Sequence, residues 1–278
     1  MAITTSMIKE LRDATSLGIA DCKKALEQTD GDFDAAIKLL REKGAAVAAK
    51  RASKEAKEGL VAAMVSDDAQ TAAMIEVNCE TDFVTRNEDF QNFVAELLSE
   101  AANYETDKMA EGVAQKIEDK MAAIGEKLQF RRNTTWNVEG TGSITSYIHM
   151  GGKVGVLIEL SCDKPETIQN PTYQELAKDL TLHIAAAAPE FLNRDDVPAE
   201  AIESELEIYR KQLEGKPENI LENILKGKIN KFYSQICFLE QGFVKEDKVS
   251  ISNLIAEKAK ELDDHITVKR YVRYQLGA

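Results

Sequence analysis

The sequence predicts an α+β protein: an N-terminal three-helix bundle, then two duplicated α+β subdomains of antiparallel sheet plus helices, with a helical hairpin inserted in the second. Three observations predict it. Apolar residues recur at helical spacing through residues 5–43. A pair of strand-like runs, 60–66 and 72–79, has a counterpart in 143–150 and 153–160, and each pair is followed by amphipathic helix and a closing strand. The second run of each pair also ends alike, MIEVNCETD in one and LIELSCDKP in the other.

In the bundle, Met7, Ile8 and Leu11 stripe a first helix with Ser6 as its cap, and Gly18 breaks it. A second helix, Asp21–Gln28, turns Cys22, Ala25 and Leu26 inward. Asp30-Gly31-Asp32 is a turn with a cap, and Phe33, Ala36, Ile37 and Leu40 stripe a third helix that Gly44 ends. The Ala-rich segment 45–58 reads as a helical or semi-rigid linker whose Lys50, Arg51, Lys54 and Lys57 form a solvated face. In the first subdomain Asp67-Asp68-Ala69-Gln70 joins the two strands. A helix carrying Phe90, Phe93, Val94, Leu97 and Leu98 follows, then a helix over 108–127 with Val113, Ile117, Met121 and Ile124 on one face, then a strand from Leu128.

The second subdomain turns at Gly151-Gly152, carries Leu176, Leu180, His183 and Ile184 on one helical face and Leu254, Ile255, Lys258 and Leu262 along another, and closes with the alternating strand HITVKRYVRYQL. Residues 198–233 are the insertion: Ile202, Leu206, Tyr209 and Leu213 stripe one helix, Ile220, Leu221, Ile224, Leu225 and Ile229 the other, with Gly215-Lys216-Pro217 at the turn. The division is therefore 1–44 for the helical module, 45–58 for the linker, 59–140 for the first subdomain, 141–197 with 234–278 for the second, and 198–233 for the hairpin.

A net charge of −13 over 278 residues is poorly suited to gripping phosphate backbones and suits a partner with a basic patch. Four scattered cysteines with no C-x-x-C point to free thiols in a reducing compartment. The start resembles neither a signal nor a transit sequence, and no apolar run is long enough to span a bilayer, so a soluble cytoplasmic protein with no membrane contact is expected.

Catalytic constellations are missing. His149, His183 and His265 lie in different elements without metal spacing, so no metal site and no cofactor are expected. His183 reads as a packed core residue and His149 as an exposed strand tip. HMGGKVGV has Val154 where a phosphate loop needs Ser or Thr, and a strand follows where a helix is needed. A thiol enzyme would need Cys79 beside a base such as His149. That leaves the corner NCETDFVTR, residues 78–86, where Phe83 and Val84 stand in an apparent loop. Three readings follow: an exposed apolar anchor for a partner, a reactive Cys79, or a staple in which Thr81 or Asp82 caps a turn and Phe83 packs on Phe90 or Phe93.

The stretches MIKELRDATSLGIADCKKALEQTDGDFDAAIKLLREKG, EVNCETDFVTRNEDFQNFV, SYIHMGGKVGVLIEL and HIAAAAPEFL, in that order from about residue 3 to 276, resemble the elongation factor Ts family, of which T-D-F-V is the hallmark. The resemblance implies a ubiquitin-associated-like (UBA-like) N-terminal module and a coiled-coil form for the inserted hairpin. It implies a guanine-nucleotide exchange factor for the GTPase elongation factor Tu, without covalent catalysis and without direct nucleic-acid contact.

It further implies that Asp82 and Phe83, within Thr81, Asp82, Phe83 and Val84, insert into the GTPase and disturb its Mg²⁺ site. Lys9, Arg12, Ile19 and Ala20 would touch the GTPase domain, and His149 with Gly151 and Gly152 would face another domain of the partner. Some members carry Met where Ile19 and Ala20 stand, and some continue beyond the last strand. The hairpin is the surface on which a homodimer would be built. A pure interaction module, whose bundle binds a ubiquitin-like surface, is the rival reading.

Overall fold

Three helices, α1 (Thr5–Thr15), α2 (Ile19–Gln28) and α3 (Phe33–Arg51), open the computed structural model, which describes residues 3–15, 17–51, 53–213 and 217–278. Their stripes meet in a core of Leu11, Cys22, Ala25, Leu26, Ala36 and Leu40. The side-chain cap of α1 is Thr4, whose Oγ1 accepts from the Met7 amide at 3.3 Å, while Ser6 lies inside the helix. Gly44 does not end α3. The alanines beyond it are strong helix formers, and the helix runs on to Arg51 through the first half of the expected linker. Gly44 is buried instead against the helix at 109–124, where an added Cβ would sit 3.2 Å from that of Ala122. The Lys50 side chain lies outside the described residues.

The strands β1 (Glu58–Val65) and β2 (Thr71–Cys79) form the first hairpin; α4 (Asp82–Thr85), α5 (Glu88–Ala101) and α6 (Met109–Ile124) follow, then β3 (Leu128–Asn137). The second unit has β4 (Gly142–His149), β5 (Val154–Ser161), α7 (Pro171–Ala187), α8 (Ala199–Gln212), α9 (Glu218–Ile236), β6 (Gly242–Phe243), β7 (Glu246–Ser250), α10 (Ile251–Glu261) and β8 (Thr267–Gln275). Two antiparallel sheets result, ordered β1-β2-β3 and β4-β5-β8, with the short β6-β7 pair apart from them. One face of each sheet is covered by its own helices: Ile75 and Val77 pack with Phe90, Leu97 and Val113, and Ile158 and Leu160 pack with Leu176, Leu180 and Ile255. The other faces meet each other through Val61, Met74, Trp136, Ile144, Leu157 and Tyr274.

The two units are built alike in detail. A buried glutamate, Glu76 in β2 and Glu159 in β5, stands at a register shift in each central strand. Each is paired with an arginine from the neighbouring strand, Arg132 Nε at 2.8 Å and Arg270 Nε at 2.6 Å, as a buried charge requires. The arginines then stack reciprocally across the sheet interface, Arg132 over Tyr274 at 4.0 Å and Arg270 over Trp136 at 4.4 Å. Gly59 and Gly142 stand at matching places near the start of the outer strands, and a Cβ there would lie 2.1 Å from the Val77 carbonyl and 2.3 Å from that of Leu160.

The inserted hairpin is anchored at its base, where Val197, Ile236 and Cys237 pack with Phe191 and Ile202. Residues 214–216, which include Gly215 and Lys216 of the expected turn, and the Ile220 side chain lie outside the described residues. No helix among the described residues is long and apolar enough to cross a membrane.

Candidate functional site

β2 is buried along nearly its whole length, so the chain leaves it at Cys79 from a fixed position. The Cys79 thiol is itself buried and donates to the Thr81 carbonyl at 3.1 Å. One helical turn, α4, follows, and Asn87 begins α5 by accepting the Asp89 amide on its side chain at 2.9 Å. Successive helical residues point about 100° apart. The turn therefore sends its two apolar residues in different directions. Val84 is 7% exposed and packs into the first core with Cys79 and Phe90, whereas Phe83 is 77% exposed. An apolar ring in water on a turn rooted in the core is a fixed projection.

The other two readings of this corner fail on geometry. Phe83 is not stapled to Phe90 or Phe93, and the Thr81 side chain makes no cap bond. It donates to the Glu126 carboxylate at 2.9 Å, and the Thr81 amide donates to the same group at 3.1 Å. Burial, with the Glu126 charge adding to it, pushes the Cys79 thiol up to about 12, which leaves no thiolate at neutral pH. His149 is occupied with the Tyr147 hydroxyl, 2.8 Å from Nδ1, and not with Cys79. Asp82 pairs with Arg86 Nη2 at 2.8 Å on the surface, a contact that solvent screens.

The turn between β4 and β5 stands at the same end of the molecule. The Val61 amide donates to the Gly152 carbonyl at 2.8 Å, and Lys153 pairs with Glu58, whose backbone lies opposite Cys79. His149 and Gly151 are exposed, but Gly152 is buried. With φ +97° and Leu60 Cδ2 only 2.8 Å from where a Cβ would stand, Gly152 serves the contact between the sheets and does not face outward. Met150, which sequence reasoning passed over, is 73% exposed beside His149. Its signal was the Met-Gly-Gly turn itself, which lifts the preceding side chain into solvent.

Lys9 and Arg12 lie on the outer face of α1, and Ile19 (58% exposed) and Ala20 are exposed at the start of α2. These four are on the bundle, apart from the corner. Between the α1–α2 junction and α5–α6 runs a crevice of about 290 Å³, bordered by Leu17, Leu40, Phe93 and Ala122. His183 is a core residue, with Nε2 2.8 Å from Gln241 Oε1 and Nδ1 accepting the Val244 amide at 3.2 Å. No cluster of metal-ligating side chains is found among the described residues.

A family model described as Elongation factor TS matches residues 80–278, starting at the corner itself. A protein named elongation factor Ts from Trichlorobacter lovleyi is 42% identical over 291 residues, covering 100% of this chain and 93% of that protein. Proteins of the same name from Nitratidesulfovibrio vulgaris and Clostridium botulinum are each 43% identical, covering 100% and 99% of this chain and 96% and 93% of their own lengths. Matched along its whole length in this way, the chain belongs to the elongation factor Ts family, the nucleotide-exchange factors of translation elongation.

Proposed function

We propose that the chain is the guanine-nucleotide exchange factor of elongation factor Tu, and that it acts by inserting the corner Thr81–Val84 into the GTPase domain. The observation that carries this reading is Phe83, a large apolar ring left 77% exposed on a turn whose neighbour Val84 is buried in the core. Desolvating such a ring in a partner's pocket is the kind of contact that dominates an interface. Asp82 beside it disturbs the surroundings of the partner's Mg²⁺, and GDP loosens. Lys9, Arg12, Ile19 and Ala20 hold the GTPase domain through a UBA-like module, and His149, Met150 and Gly151 meet a second domain. The α8–α9 pair is a coiled-coil arm, and the protein works in the cytoplasm.

The energetics are those of linkage. A factor that binds the nucleotide-free GTPase more tightly than the GDP form weakens GDP by the same ratio, about tenfold for each ~1.4 kcal/mol of difference. No general base or nucleophile enters. The buried Cys79 and the occupied His149 fit a protein whose work is done by an interface. The test is to add the chain in substoichiometric amounts to elongation factor Tu loaded with fluorescent GDP. Accelerated release supports the reading, and release at the intrinsic rate over the whole concentration range rejects it.

A further inference from the structure

Two carboxylates hold the corner in a reciprocal clamp. The Thr81 amide donates to Glu126 Oε2 at 3.1 Å, and the Thr81 hydroxyl donates to Glu126 Oε1 at 2.9 Å. In the opposite direction, the Lys127 amide donates to Glu80 Oε1 at 2.6 Å. Residues 80–81 and 126–127 therefore each offer a carboxylate to the other's backbone. Glu80 also accepts Arg51 Nη1 at 2.6 Å, so the last residue of α3 ends on the clamp. The Lys127 amide, foremost, and Arg51 hold the Glu80 carboxyl below its ordinary value against the opposing effect of burial. These are charge-assisted bonds, stronger than those between neutral groups.

The second unit shows what this device does when no anchor is present. Asp264 precedes Arg270 at the same offset as Glu126 precedes Arg132. It accepts the Lys164 amide at 3.2 Å and the Asp163 amide at 3.1 Å, at the corner that follows Cys162. There the chain continues into a 3₁₀ turn, Pro165–Gln169, which carries no exposed large apolar residue. The carboxylate that secures a corner thus belongs to the duplicated fold. Only the first copy places a bare ring on the corner so secured.

We infer that Glu126 is a positioning residue for nucleotide release, holding the Thr81–Thr85 turn so that Phe83 meets the partner already in its working orientation. The inference rests on the exchange reading above. A ring that wanders is competent for only a fraction of encounters, and its differential binding falls by that fraction. Glu126 touches neither partner nor nucleotide in this account; it acts through Thr81.

The test uses the full chain carrying Glu126→Ala, with Glu126→Gln as the conservative rescue and Asp264→Ala as the internal control. In the free protein, hydrogen exchange at the Thr81, Arg86 and Asn87 amides is expected to rise about tenfold in Glu126→Ala, the effect of one charge-assisted hydrogen bond. With the GTPase, the maximal GDP release rate is expected to fall about five- to tenfold while the half-saturating concentration stays within about twofold, since the bundle contacts remain. Glu126→Gln keeps an acceptor for the Thr81 amide and recovers most of the rate. Asp264→Ala removes the acceptor of the Asp163 and Lys164 amides, loosens residues 163–169 and leaves release unchanged.

Unaltered amide protection overturns the inference, and so does lost protection with an unaltered release rate. A raised half-saturating concentration at constant maximal rate overturns it as well, because it would make Glu126 part of the binding surface. Should Glu126→Ala fail to fold, Thr81→Val removes only the hydroxyl bond and carries the same readouts. Release held at the intrinsic rate even with the parent chain sinks the exchange reading, and assisted release that ignores Phe83→Ala sinks the anchor, whereas assisted release that ignores Glu126→Ala alone sinks only the positioning role.

Discussion

Replacing Phe83 by alanine separates partner work from folding work. The residue is 77% exposed in the free chain, so its truncation removes little that the fold uses. Surface substitutions of this kind change stability by no more than about 0.5 kcal/mol, which moves Tm by about 2 °C or less in a chain of this size. The same ring buried against a partner is worth about 1.5–3 kcal/mol of removed apolar surface, and a central anchor reaches 2 kcal/mol or more. If about 2–3 kcal/mol of this is made in the transition state for release and not in the GDP complex, GDP release assisted by the factor slows about 30- to 140-fold. Stopped-flow release of fluorescent GDP measures the rate, and a thermal melt measures the fold. A release rate within twofold of the parent protein refutes the reasoning about the anchor. A fall of several degrees in Tm refutes the claim that the ring stands free of its own core.

Three further outcomes follow from the same geometry. Val84, one residue on but only 7% exposed, behaves oppositely: Val84→Ala lowers stability by about 2 kcal/mol, or about 4–8 °C in Tm, as calorimetry would show, and no loss would place Val84 outside the core. Gly152→Ala, at φ +97° and with Leu60 Cδ2 2.8 Å from the new Cβ, costs about 2–4 kcal/mol in a urea titration; a neutral result would mean the turn shifts freely. Burial holds the His183 imidazole below its ordinary value, partly offset by its bond to Gln241. Protons therefore favour the unfolded chain: this contribution is intact above about pH 6.5 and is lost as pH falls from there through the folded value. The loss of stability between pH 7.5 and 5.5 should shrink in His183→Gln, and an identical loss in both proteins would show that another group titrates.

What the sequence made legible depended on how locally each feature is encoded. The stripe of Cys22, Ala25 and Leu26 reads directly from helical spacing, and all three are buried. The rhyme of MIEVNCETD with LIELSCDKP is likewise local, and it marks the strands that carry Glu76 and Glu159. Gly44 was misread because a glycine at a helix end and a glycine pressed on another helix look alike until Ala122 is in place. The β6–β7 pair is too short for alternation to show. At the corner, Phe83 and Val84 were both candidates for an exposed tip; only the single turn α4 sends one out and the other in. Glu126 went unnoticed because its partner Thr81 is distant in sequence, and nothing near either residue announces the bond.

The central claim is that the ring at position 83 enters another protein. The most direct measurement places photoreactive benzoylphenylalanine at that position and irradiates the chain with nucleotide-free elongation factor Tu. A crosslink to the GTPase domain beside the Mg²⁺ site, diminished by excess GDP, is the predicted result. A crosslink confined to the chain itself, or one to the partner that excess GDP leaves untouched, contradicts the account.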